Sequence, residues 1–325
     1  MKKTKLWMSV AFSVAVLFAM LTLVACPQGV NTDNGVGIEG FVYFEGGTVT
    51  ASVGNVLGPF YNASEEKPIE VTSFYIAETE TTYARWYEVY QWAISEERGE
   101  AVYSFANPGR EGSTGTIGAA HIEGSSQPAV NVSYRDVLVW CNAASEMDGL
   151  TPVYYISEAD RTPIRASEDS STAAGEGKAD NAYVDTNANG YRLPTEEEWE
   201  FAARGGIPST DENAPWNYKY AGTNDDAELT NYAVYEGNST VEGSGAVSAN
   251  VKSKKPNSVG LYDMNGNARE WCYQDGATLS RNTMRVIRGG AFGNSANGCT
   301  VAYRSVYTLR NPNNQQGFRL VRTRK

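Results

Sequence analysis

The sequence predicts an α+β domain with few helices, short strands and much loop. Three segments repeat apolar residues at helical spacing between capping residues. Short β-branched and aromatic runs bounded by turn residues lie outside them. Beyond Gly206 the chain is rich in Asn, Gly and Tyr and carries no long periodic run.

The elements follow in order. Lys2, Lys3 and Lys5 precede an apolar run from Leu6 to Val24, the pattern of an export signal. It ends Leu23-Val24-Ala25-Cys26, which looks like a bacterial lipobox, with Cys26 the lipidated first residue of the mature chain. The alternative is an uncleaved anchor, because the run is just long enough to span a bilayer. Residues 1–25 are thus read as signal, 26–40 as a lipidated tether and 41–325 as the folded domain. Phe41-Val42-Tyr43-Phe44 with Gly46-Gly47 reads as strand and turn, and Pro68 to Ala77 as a strand. Thr82 opens a helix through Ile94, with Trp86, Val89, Tyr90 and Ala93 on its core face. A second helix runs from Ser133 to Met147, with Ser133 as N-cap and Asp136 three residues on. Thr195 and Glu198 form a capping box for a third, closed by Gly205-Gly206. Its acids Glu196, Glu197 and Glu198 suit a helix N-terminus better than paired acid–base chemistry. Ser157 to Ala182 is polar and reads as an exposed insertion or hairpin.

Composition excludes several functions. A formal charge of −11 without a basic stripe argues against nucleic acid as a partner. Arg319, Arg322, Arg324 and Lys325 read as a solvated strand end. His121 is the sole histidine, so catalytic triads and His-rich zinc sites are disfavoured. Gly175-Glu176-Gly177-Lys178 lacks the upstream Gly and following Ser or Thr of a phosphate loop. Besides Cys26 there are Cys141, Cys272 and Cys299, an odd number that implies no disulfide framework.

The stretch Arg285 to Arg322 is the most unusual. Arg288-Gly289-Gly290 and Gly317-Phe318-Arg319-Leu320 frame an insert rich in Asn, Ser, Thr, Tyr, Gly and Arg, the palette of adaptable binding loops. From Ala291 to Asn311 it contains no Lys, Glu, Gln, Met or Trp.

Four motifs occur in series. They are Gln127-Pro128-Ala129-Val130-Asn131-Val132-Ser133 with Trp140-Cys141-Asn142, Asn189-Gly190-Tyr191-Arg192-Leu193-Pro194-Thr195-Glu196 with its helix, Gly260 to Trp271, and the two frames. In this order they resemble the formylglycine-generating enzyme, or sulfatase-modifying factor, family over about Phe41 to Arg322. The resemblance implies a C-type lectin fold of the formylglycine-enzyme type. It also implies two cysteines after Arg-Gly-Gly that hold copper. Here the first falls on Asn294 and the second on Cys299, and a single thiol cannot make the soft two-thiolate site. No cofactor is therefore required, and Cys299 is read as a packing residue. A structural calcium is implied at Asn265, Gly266, Ala268 and Glu270, with a hydrogen-bonded turn as the alternative.

Non-catalytic relatives of this fold include the variable proteins of diversity-generating retroelements. Miscopied adenine codons in those systems cannot encode Lys, Glu, Gln, Met or Trp, the five types absent here. The resemblance implies a lipoprotein displayed at the cell surface or outer membrane, anchored through Cys26, that binds a ligand, expected to be protein, without catalysis. The binding segment is placed near 291–314. Its contact residues are Gly293, Ser295, Gly298, Tyr303, Ser305, Val306, Tyr307, Thr308, Leu309 and Arg310, with Asn313 and Asn314 at the margin. The rival readings are a copper-dependent oxidase and a structural envelope protein.

Overall fold

The computed structural model describes residues 37–49, 69–168, 177–273 and 283–324. Cys26, the leading apolar run and part of the insertion lie outside them. The elements that position the site are, in chain order, β1 (Phe41–Phe44), β2 (Phe74–Ala77), α1 (Tyr83–Ala93), α2 (Tyr134–Met147), β3 (Tyr191–Arg192), α3 (Glu196–Ala203), β4 (Arg269–Trp271), β5 (Met284–Arg288), β6 (Ser305–Thr308), β7 (Gln316–Gly317) and β8 (Val321–Thr323).

One antiparallel sheet has the order β1-β2-β8-β3 and joins the two ends of the domain through β2, where Ile76 faces both Val42 and Val321. The second has the order β6-β5-β4-β7, with β4 and β7 parallel. Alternation along β5 separates two cores, since neighbouring strand residues face opposite ways. Ile287 joins Trp271 and the α1–α2 core, whereas Val286 joins Trp199 of α3 and Val42, Phe74 and Ile76 of the first sheet.

Local chemistry explains the helices. Thr82, Ser133 and Thr195 each cap a helix through the side-chain oxygen, and Ser133–Asp136 and Thr195–Glu198 complete reciprocal boxes. Trp86 and Trp140 stack at 5.6 Å between α1 and α2, and Phe318 meets both edge-on at 5.9 and 5.4 Å. Each such aromatic pair contributes about 0.5–1.5 kcal/mol beyond its area burial.

Three expectations need correction. Pro68 to Ala77 is not one strand: Ile69–Val71 pairs with Gly47–Val49, and β2 begins at Phe74. Ser73 Oγ accepts the Gly46 amide at 3.1 Å at the break, and a Cβ on Gly46 would stand 2.2 Å from Val71 O. The 157–182 insertion is a hairpin at its base, where Tyr154–Tyr155 pairs with Tyr183–Val184, and residues 158–162 are exposed as expected, but other described parts of it are docked. Ile164 is buried, Ser167 donates to Asp136 at 2.6 Å, and Asp180 accepts both arms of buried Arg135. Arg319 is fully buried instead of solvated, because Glu270 neutralises it. Cys141, Cys272 and Cys299 are free and buried. Among the described residues no helix is long and apolar enough to cross a membrane.

Candidate binding face

Both frames of the C-terminal insert are clamped by buried ion pairs. Arg288 donates to Glu196 at 3.2 Å, to Glu200, and to Val301 O at 2.9 Å, which ties the insert to α3. Arg319 donates to both oxygens of Glu270 at 2.7 Å, and Trp199 Nε1 donates to the same carboxylate at 2.7 Å. Such pairs hold position through several directed, charge-assisted bonds. Gly290 has φ +75°, and a Cβ there would lie 2.4 Å from Gly298 O and 2.9 Å from Cys299 Sγ. The glycine lets the Cys299 turn close over the frame.

Between the clamps the chain makes a turn, a short 3-10 helix over Ala296–Cys299, and β6 at the sheet edge. Gly293, Ser295 and Tyr303 are exposed, Tyr303 at 38%. Ser305, Val306, Tyr307, Thr308, Arg310, Asn313 and Asn314 are half-buried. Val306 packs on the α3 core, and Tyr307 meets Trp271 edge-on at 6.3 Å. Two expected contact residues turn inward. Leu309 is fully buried in the α1–α2 core, and its carbonyl accepts the Tyr134 amide. Gly298 is buried against Gly290 and Asn294. Neither offers a side chain to a ligand.

The middle of the face joins Asn294 to Arg269 and Gln315, two residues that sequence patterns did not place there. Asn294 Oδ1 accepts Ala291 N at 2.9 Å and Arg269 Nε at 3.1 Å. Arg269 Nη2 also donates to Gln315 Oε1 at 3.0 Å. Burial holds the Arg269 guanidinium below its ordinary pKa, while Tyr303, Tyr307 and Cys299 pull it back up. Burial pushes the Cys299 thiol up to about 12, against a smaller downward pull from Arg269. A protonated thiol, an amide and a guanidinium therefore meet where the resemblance implies copper, and this set does not fit a soft cation. A cavity of about 480 Å³ adjoins the face, lined by Thr300, Ala302, Lys219 and Asn224 among others.

The calcium expectation also meets the wrong geometry. The Asn265 amide is spent on Ala221, accepting its N–H and donating to its carbonyl, both at 2.9 Å. Both Glu270 oxygens face Arg319. The two side-chain ligands of the proposed set thus already have protein partners, one of them a cation. Among the described residues no three His, Cys, Asp or Glu side chains converge on a metal position. The turn itself is well bonded: Glu80 accepts the Ala268 amide at 2.9 Å and Asn267 Nδ2 at 3.0 Å, and Gly266 N donates to Gly289 O at 2.7 Å.

The two clamped sheets and the framed insert define a C-type lectin-like fold of the formylglycine-enzyme type. Residues 28–324 match the model of the Sulfatase-modifying factor enzyme 1-like domain, and the chain belongs to that family. It is 28% identical over 317 residues to the "Chaperone protein LppX" of Paenibacillus barcinonensis, covering 94% of this chain and 96% of that one. It is 37% identical over 109 residues to the bovine "Inactive C-alpha-formylglycine-generating enzyme 2", covering 34% and 35%. Among solved structures, CarF matches with TM-score 0.66 and 28% identity over 88% of this chain and 98% of that one. Treponema denticola variable protein 1 matches with TM-score 0.58 and 29% identity over 87% and 95%.

Arg269 and Gln315 reach the face from outside the compositionally odd segment. Arg269 stands in the Asn-Gly-Asn-Ala-Arg-Glu-Trp run, and only the pairing of β4 with β7 brings it beside Gln315 and the insert. No local pattern marks that approach.

Proposed function

We propose that this chain is an exported, lipid-anchored surface protein that binds a protein ligand through its C-terminal face and performs no oxidation. Cys26 would carry the lipid, and the face would comprise Gly293, Ser295, Tyr303, Ser305, Val306, Tyr307, Thr308 and Arg310, with Asn313 and Asn314 at its edge. The observation that carries this reading is the Asn294–Arg269 pair in place of a second thiol. Family similarity reaches both a protein described as inactive and a variable protein, which is compatible with loss of the chemistry. Tyr303 and Tyr307 supply rigid amphipathic area, while Ser, Thr and Asn adapt their hydrogen bonds.

Sequencing the C-terminal coding segment from several isolates tests the display role. Substitutions confined to residues 291–314 and to adenine-bearing codons are expected. Substitutions scattered over the domain would reject it in favour of a packing or envelope role. A second reading follows from the near full-length similarity to the LppX chaperone, in which the same face holds one fixed client. An invariant segment together with a single captured partner would favour that reading.

A further inference from the structure

Among the described residues, one cation of the face meets no carboxylate. Buried Arg135, Arg192, Arg204, Arg288 and Arg319 each meet a carboxylate, and buried Arg285 donates to the Met284 and Asp180 carbonyls. Arg269 is half-buried yet meets only the neutral oxygens of Asn294 and Gln315. Its Nη1 has no acceptor among the described residues. The segment that forms the insert supplies none: residues 276–325 carry nine Lys and Arg and no Asp or Glu, and the adjacent Glu270 is spent on Arg319. Desolvating a cation without a counter-charge is costly, and an incoming anion recovers part of that cost.

We propose that Arg269 is the receptor for a carboxylate of the ligand protein, an Asp or Glu side chain, on the face that also bears Tyr303 and Tyr307. This rests on the binding role proposed above and adds the ligand's chemistry to it. A single planar guanidinium matches a singly charged carboxylate. A phosphate dianion would call for more cations, and Arg304 of the insert is already committed to Glu196 at 3.0 Å. The net charge of −11 disfavours acidic ligands elsewhere, so the receptor also orients its partner. Arg269 itself lies outside residues 291–314, so the preference for an acid persists through changes in that segment that leave position 294 neutral.

The test pans a random peptide library against the immobilised full chain. Selected peptides should be enriched in Asp or Glu and should bind Arg269→Gln at least tenfold more weakly. Arg269→Lys should retain the preference, and the urea midpoints of both variants should match the parent. Inorganic phosphate should not displace the peptides. Selected peptides without acid enrichment, equal binding by Arg269→Gln, or displacement by phosphate would overturn the proposal while leaving the display role intact. If no peptide is selected, the display role fails. The Arg269 Nε–H resonance, titrated with N-acetylglutamate amide and its glutamine analogue, then decides the carboxylate site separately. A saturable shift with the acid alone supports it, and no shift or equal shifts reject it.

Discussion

Glu270 accepts from both Arg319 and Trp199 with no solvent contact, so its charge is fully committed. Removing one partner of a buried pair leaves the other uncompensated, at about 3–5 kcal/mol. Glu270→Gln should therefore lower unfolding stability by about that amount in urea titrations, and a loss below about 1 kcal/mol would contradict the clamp. The thiols make a second residue-level prediction. Burial raises Cys141, Cys272 and Cys299, the last to about 12, so little thiolate exists at neutral pH. Iodoacetamide should leave all three unlabelled in the native protein and label them in denaturant. Fast native labelling of Cys299 would reopen an active thiol. The third concerns Glu80 and Asp263. Burial is the main cause that raises both, Asp263 to about 6, with Glu270 adding and Arg319 opposing. The Lys252 amide also donates to Asp263. An unfolded Asp titrates near about 3.9, so the native state holds a proton that the unfolded state releases. Stability should fall as pH rises from about 4 through about 6, and Asp263→Asn should flatten that fall. Asp263 has φ +58°, a conformation that Asn tolerates.

Individual elements differ in how far the sequence reveals them. Helices carry their own start signals, so Thr82, Ser133 and Thr195 mark α1, α2 and α3 at the observed N-caps. Thr195→Ala should cost about 1 kcal/mol, measured as a shift in the urea midpoint, because it breaks one box without altering the core. Strands here are short and depend on partners far away in sequence. The break between Val71 and Phe74 arises from the Gly46 contact, which nothing in Pro68 to Ala77 announces. β6 was legible only as part of an odd composition, and its alternation decides which residues face which core. Leu309 follows the strand into the α1–α2 core, although its neighbours remain half-buried.

Across the whole molecule, ordered motifs were enough to identify the family, because each marks a frame that the fold requires. The frames appear as the buried Arg288 and Arg319 clamps. Charge bookkeeping along the chain could not anticipate that Arg285, Arg288 and Arg319 of an arginine-rich C-terminus would be buried, since the carboxylates that meet Arg288 and Arg319 come from other elements. The same limit hid Arg269, which the β4–β7 pairing carries into the face. Asn294 was legible as a missing cysteine, but its bond to Arg269 was not. That bond turns a lost ligand into a replaced one: a guanidinium now stands beside the remaining thiol. The most direct measurement is a copper(I) competition titration of the full chain against a chelator, with Cys299→Ser in parallel. The Asn294–Arg269 arrangement predicts no tight stoichiometric binding and identical curves for the two proteins. Tight one-to-one binding that disappears in Cys299→Ser would contradict it.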